Sequence, residues 1–213
     1  MRKFVVILLI TVLFYSCSST KIEMPSVQGM IYDGSNEAVC DVEVLLNGQK
    51  QTVSDIYGHF ALAGLRPETE YTLLLKKLGF EETVLKFSYL NPSQVIYARM
   101  YSTSELLALA ERETKDKKYD SALIFLERAE KIGENYLSVN YLKSVVFFSK
   151  KDYETSLKIA QEIVENGYID SYVYVLLADI YEIGMNDQEK ANGYLKKALD
   201  ISFDPNIQKR LEK

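Results

Sequence analysis

Two hydrophobic periods divide the chain. Val42, Val44 and Leu46 fall on alternate positions, as do Tyr71, Leu73 and Leu75, and a period of two marks half-buried strands. Asn47-Gly48 between such runs is a strong hairpin signal. Glycines at positions 29, 34, 48, 58, 64 and 79 punctuate the stretch at strand-like spacing. Residues 26–101 are therefore predicted to form short strands at roughly ten-residue intervals, an all-β sandwich. From Ser102 onward apolar residues recur at three and four, and no proline intervenes before Pro205, which predicts helices over 102–213. Ser102 with Glu105 three residues on is a capping box that starts the first of them. The expected fold is thus multidomain, α and β, with the β half first.

The helical half repeats. Tyr119-Asp120-Ser121-Ala122 returns as Tyr153-Glu154-Thr155-Ser156 after 34 residues and as Gln188-Glu189-Lys190-Ala191 after 35 more. Ala110, Ser144 and Ala178 keep a spacing of 34. Small residues at these places let paired helices cross closely. The period and the small positions resemble three tetratricopeptide repeats, about 103–136, 137–170 and 171–205, stacked as a solenoid. Phe147 and Tyr181 fit the family's aromatic position, where the first copy has Glu113; Lys117 and Lys151 stand where it usually has glycine. The extra residue of the third copy, around Gly184 to Asp187, is expected to lengthen an inter-helix loop. Asp204-Pro205 is expected to open a short last helix carrying Ile207 and Leu211, which covers the array's end.

What the resemblance implies for function is a concave groove lined by the first helix of each pair. Its positions fall on Leu107, Glu111 and Thr114, then Tyr141, Val145 and Phe148, then Tyr172, Val175, Asp179 and Glu182. This gives an apolar, aromatic floor with acids at one end, suited to an extended or helical peptide and favouring a basic segment. The competing expectation is that these side chains pack against the β half or a neighbouring helix.

The β half resembles carboxypeptidase regulatory-like domains of transthyretin-like fold. Val27-Gln28-Gly29-Met30-Ile31-Tyr32-Asp33 looks like their opening strand and Ala38 to Val44 like their second. Thr52 to Phe60 fits their threonine, aspartate, turn, glycine, phenylalanine hairpin. Leu65-Arg66-Pro67, Tyr71 and Leu78-Gly79-Phe80 fit the strand that follows. Ala38 and Asp41 depart from the family's usual proline and glycine. In that hairpin Asp55 is placed to accept backbone amides, and Gly58 can take a positive φ at little cost. Phe60 and Leu62 should point inward, His59 and Ala61 outward. Cys40 shares the parity of Val42 and Val44 and is expected in the core. The resemblance implies no peptidase, and Asp55 lacks the partners of a calcium site.

The first residues bear on location. Arg2 and Lys3 precede an apolar run from Phe4 to Tyr15, too short for a membrane span of about 20 residues and matching a secretory signal. The run ends at Ser16-Cys17, which resembles the lipobox of bacterial lipoproteins. Residues 1–16 are expected to be a signal peptide, acylated Cys17 a lipid anchor, and 17–25 a tether. Ser18 after the cysteine resembles outer-membrane sorting, facing the periplasm. Lys and Arg number 25 against 30 Asp and Glu; without Arg2 and Lys3 the net charge falls from −5 to −7. Nucleic acid needs a basic face, so no such partner is expected. With Cys17 acylated, Cys40 has no disulfide partner.

No catalytic, metal or cofactor constellation is present. His59 is the only histidine, and Glu81-Glu82 should point to opposite faces as solvated charges. The expectation is a membrane-anchored scaffold, not an enzyme, that binds an envelope protein or peptide. The alternative is a carbohydrate- or ligand-binding module using the loops of the β half.

Overall fold

The computed structural model describes residues 26–212; Cys17 and the signal-like run lie outside the described residues. The β half contains β1 (Ser26–Tyr32), β2 (Glu43–Leu46), β3 (Gln49–Val53), β4 (His59–Ala63), β5 (Glu70–Lys76), β6 (Thr83–Ser88) and β7 (Val95–Arg99). They form a three-stranded sheet, β4-β1-β7, and a four-stranded sheet, β3-β2-β5-β6. Alternation puts Val27 and Ile31 of β1, Phe60 and Leu62 of β4, Ile96 and Ala98 of β7, and Val44, Leu73 and Leu75 of β2 and β5 into one shared core. The β2–β3 hairpin closes through Asn47 and Gly48, both at positive φ (48° and 82°), the geometry such a two-residue turn demands.

Asp55 accepts the amides of Tyr57 and His59 at 2.8 and 2.9 Å. Gly58 has φ +74°, and a Cβ there would meet the Ile31 carbonyl oxygen. His59 and Ala61 face out and Phe60 and Leu62 in. Cys40 departs from expectation. Asp41 is left-handed (φ 53°), which breaks the alternation between Cys40 and Val42. Val39 takes the core position at 3% exposure, while Cys40 is partly exposed and free.

The two ends of the β half differ. One holds the start of β1, the Asn47-Gly48 turn and the loops 64–69 and 89–94. The other holds the loops 33–42, 54–58 and 77–82 and receives the helices. At this second end Phe80 bridges to Ser102, the amide of Glu81 donates to the Tyr101 carbonyl at 2.8 Å, and Glu105 accepts the Gly34 amide at 2.8 Å. Glu105 also completes the capping box with Ser102, so one carboxylate serves both the helix start and the junction. Glu81 is paired here with Arg128, not merely solvated as the sequence suggested; Glu82 pairs with Lys76.

The helices are α1 (Thr103–Lys115), α2 (Tyr119–Ile132), α3 (Tyr136–Ser149), α4 (Tyr153–Glu165), α5 (Ser171–Asp179), α6 (Gln188–Ile201) and α7 (Pro205–Leu211). α1 to α6 make three antiparallel hairpins whose second helices start 34 and then 35 residues apart, the arrangement expected of tetratricopeptide repeats. Ala110, Ala122, Ser144, Ser156, Ala178 and Ala191 are all fully buried at the crossings. In the middle hairpin Ser144 and Ser156 each donate to the other's backbone carbonyl, at 2.9 and 2.8 Å, which satisfies two hydroxyls in an apolar crossing. Lys117 and Lys151, at the glycine position, take the left-handed φ (62° and 66°).

The extra residue of the third copy does not lengthen the loop, which has three residues as in the other two hairpins. It is absorbed by a π-helical turn, Ile180–Gly184, that follows α5. A wider turn takes one more residue per revolution, and Gly184 lets the Tyr153 ring lie where a Cβ would be 2.5 Å from its Cγ. Asp204 caps α7, accepting the Asn206 amide at 2.7 Å, and Ile207 is buried against the last hairpin.

Candidate functional site

The first helices α1, α3 and α5 lie side by side and open a hollow of about 440 Å³ lined by Leu107, Glu111, Leu137, Tyr141, Asp170 and Tyr172. The sequence-derived groove residues Leu107, Glu111, Tyr141 and Tyr172 are thus brought together. Tyr141 is half-buried; burial first, then Asp170, Asp179 and Tyr172, hold its phenol above the usual tyrosine range. Tyr172 is 70% exposed. Asp170 is fixed by its capping role, accepting the amides of Tyr172 and Val173 at 2.8 and 3.3 Å, and so holds the start of α5 and its first aromatic in place.

A second hollow, about 510 Å³, lies on the other side of Tyr172 and is lined by Val175, Phe203, Pro205, Ile207 and Arg210. Tyr172 is the ridge between the two. Phe203, 74% exposed, stands at its far wall. Leu137, Asp170, Phe203 and Arg210 were missed from the sequence. The Asp170-Ser171 capping signal could have found Asp170; the others needed the position of α7 or of the start of α3.

Five expected groove residues change place. Phe148 packs edge-to-face on Tyr153 at 5.5 Å and, with Val145, sits partly buried against the core of the second hairpin; neither lines either of these two hollows. Asp179 and Glu182 are not open to a basic segment. Both accept Nη2 of Arg210, at 2.7 and 2.6 Å, because α7 folds back onto the last hairpin. Thr114 donates its hydroxyl to the Ala110 carbonyl at 2.7 Å, within its own helix.

A hollow of about 730 Å³, larger than these two, lies at the β–α junction, between Lys76, Lys77, Phe80, Glu82 and Lys131. Three of its charged groups serve the fold: Lys76 pairs with Glu82, and Lys77 donates to the Cys40 carbonyl at 2.7 Å. An apolar floor with a few convergent polar groups is what a binding site needs, and the groove between α1, α3 and α5 has it. His59 is exposed beside Asp55 at 3.6 Å. Among the described residues no group of three or more His, Cys, Asp or Glu could hold a metal ion, and no helix is long and apolar enough to cross a membrane.

No family model matches the chain, and the comparison with curated proteins finds no match. Among solved structures, the chain is similar over 52% of its length to the N-terminal domain of stress-induced protein-1 from C. elegans, at 16% identity, 91% coverage of that chain and a TM-score of 0.44. It is similar over 52% to the complex of the TPR2AB domain of yeast Sti1 with pHSP90, at 18% identity, 45% coverage of that chain and a TM-score of 0.48. It is similar over 52% to MamA from Desulfovibrio magneticus RS-1, at 22% identity, 62% coverage of that chain and a TM-score of 0.44.

Proposed function

We propose that this chain is an outer-membrane lipoprotein, anchored through acylated Cys17 and facing the periplasm, whose helical array seats a segment of a partner polypeptide between Leu107, Tyr141 and Tyr172. On this reading residues 26–101 are a carboxypeptidase regulatory-like domain that carries the array. The observation that supports it is the placing of Tyr172: 70% exposed, yet held on a capped helix between two hollows. A tyrosine fixed in this way offers large contact area at low ordering cost, and such residues dominate the energetics of interfaces. The first hollow takes an aliphatic or aromatic anchor. With Asp179 and Glu182 occupied by Arg210, the acid that favours a basic flank is Glu111, at the rim of the first hollow.

The test is a photo-crosslinking residue at position 172 in the full chain in cells, with one at exposed Ile124 on α2 as control. Position 172 is expected to yield a defined crosslinked polypeptide that disappears when Tyr141→Ala is added. Equal products from both positions, or none from 172, reject the groove.

A second reading, ligand binding by the β half, is favoured by one observation: Tyr57 in the β3–β4 loop is 63% exposed, with its ring 6.1 Å from that of His59. Capture of a glycan that is lost in Tyr57→Ala, with the groove variants unaffected, would establish it.

A further inference from the structure

We infer that the end of the β half that carries loops 64–69 and 89–94 rests on the membrane surface, with Leu90 as its lipid contact, so that the helical half is held away from the bilayer. The inference rests on the lipid anchor of the proposed function and adds an orientation and a second contact to it.

Three observations carry it. The first is reach. Nine peptide steps separate Cys17 from Ser26, where β1 begins. Even fully extended they span about 30 Å, so the start of β1 cannot leave the membrane neighbourhood. β1 runs from this end toward the junction, and its seven residues add about 23 Å before the helices are reached. The second is composition. The loop Tyr89-Leu90-Asn91-Pro92-Ser93-Gln94 has no charged residue, and Leu90 is 64% exposed. The loop is held by its own hydrogen bonds: Gln94 accepts the Leu90 amide at 2.9 Å, and Asn91 accepts the Ser93 amide at 2.9 Å. Leu90 is therefore presented on a fixed turn.

The third is charge. With Glu81 and Glu82 paired to Arg128 and Lys76, the loops of the far end still carry Asp33, Glu37, Asp41 and Asp55 against Lys77. Loops 64–69 and 89–94 carry only Arg66 and Glu68. An anionic bilayer repels the first set and is indifferent to the second. The tether and the charge asymmetry select the same end, and Leu90 is its exposed apolar side chain; Leu78, Ile56 and Tyr57 are exposed at the far end, but there they stand among the acids. Local concentration near the membrane, set by the short tether, then makes a single apolar contact sufficient to bias orientation.

The chain contains no tryptophan, so single tryptophans report cleanly. The experiment uses the lipidated full chain in vesicles of phosphatidylethanolamine and phosphatidylglycerol, with Leu90→Trp, Ile56→Trp or Tyr172→Trp. Flotation with the vesicles is measured first. Tryptophan emission is then measured with and without brominated acyl chains. The expected result is a blue shift and quenching at position 90, with positions 56 and 172 unchanged. Flotation with no quenching at 90 overturns the contact and leaves the anchor standing. Flotation with equal quenching at all three overturns the orientation. Failure to float or to incorporate a fatty acid overturns the anchor, and this inference with it.

Discussion

Arg128 of α2 grips Glu81 of the β5–β6 loop through two nitrogens, Nη2 at 2.6 Å and Nε at 3.1 Å. The same guanidinium lies 5.0 Å above the Tyr101 ring and 5.5 Å from that of Phe125. One side chain thus joins the β half, the linker and the helical half. The two partners are 27% and 30% exposed, and a two-pronged ion pair in that setting is stronger than the 1 kcal/mol or less of an open surface pair. Arg128→Ala and Glu81→Ala are each expected to cost about 1–3 kcal/mol in urea unfolding. The double variant should cost little more than the larger single one; two additive losses would show that the residues act independently.

Ala122 fixes the first hairpin's crossing. It is fully buried against Leu126 and Ala110, so Ala122→Leu has to push α1 and α2 apart. Overpacking of this kind costs about 1–3 kcal/mol and should lower the melting temperature. An unchanged melting temperature would place the crossing elsewhere.

The small-residue positions show why the repeats could be read in the sequence. A crossing point admits only Ala or Ser, so Ala110, Ser144 and Ala178 are marked by a local steric demand. The strand faces were legible for the same reason, since Phe60 and Leu62 alternate with His59 and Ala61 through an unbroken extended run. Cys40 was misplaced because one left-handed residue, Asp41, resets the alternation, and aspartate does not announce that conformation as glycine would. The π turn after α5 was hidden because a 35-residue spacing says that one residue is extra but not where it goes. Groove membership was only partly legible. Asp179 and Glu182 lie on the correct face, but their partner Arg210 is about 30 residues on and meets them only once α7 packs back.

Asp55 gives a pH dependence with a definite sign. The His59 amide holds its carboxyl below the ordinary carboxylate range; slight burial opposes this, and the Tyr57 amide and the His59 charge add to it. A depressed folded-state pKa contributes stability above the unfolded value of about 3.9, and the contribution is lost as pH falls through the folded value. Asp55→Asn should therefore melt earlier than the parent at neutral pH, and the two curves should converge as pH drops below about 4. A gap that stays constant into acid would assign the effect to turn geometry instead of charge.

Tyr172 and Phe148 should separate binding from folding. Tyr172→Ala removes a side chain that is 70% exposed, so stability should stay within about 0.5 kcal/mol of the parent. Phe148→Ala removes the edge-to-face contact with Tyr153 and part of the second hairpin's core, at a cost of about 2 kcal/mol. Paired urea melts check both. A stability loss in Tyr172→Ala as large as in Phe148→Ala would make Tyr172 a packing residue and remove the anchor from the groove.

Arg210 decides what the far end of the groove presents. Among the described residues it alone pairs with Asp179 and Glu182, which are three residues apart, and it belongs to the last turn of a seven-residue helix. Arg210→Gln keeps the packing of Ile207 but leaves both carboxylates without a partner. The two pairs are about a third exposed, so solvent screening limits the loss of stability to about 1 kcal/mol. The electrostatic change is larger, because the cluster of two carboxylates and one guanidinium loses its only positive charge and goes from one net negative charge to two. A short lysine- and arginine-rich peptide should then bind the variant more tightly than the parent at low ionic strength. The difference should fade near 0.15 M salt, where the screening length falls to about 8 Å. If the peptide binds both proteins alike at low salt, the two acids do not face the groove, and the basic flank of any partner is read at Glu111 alone.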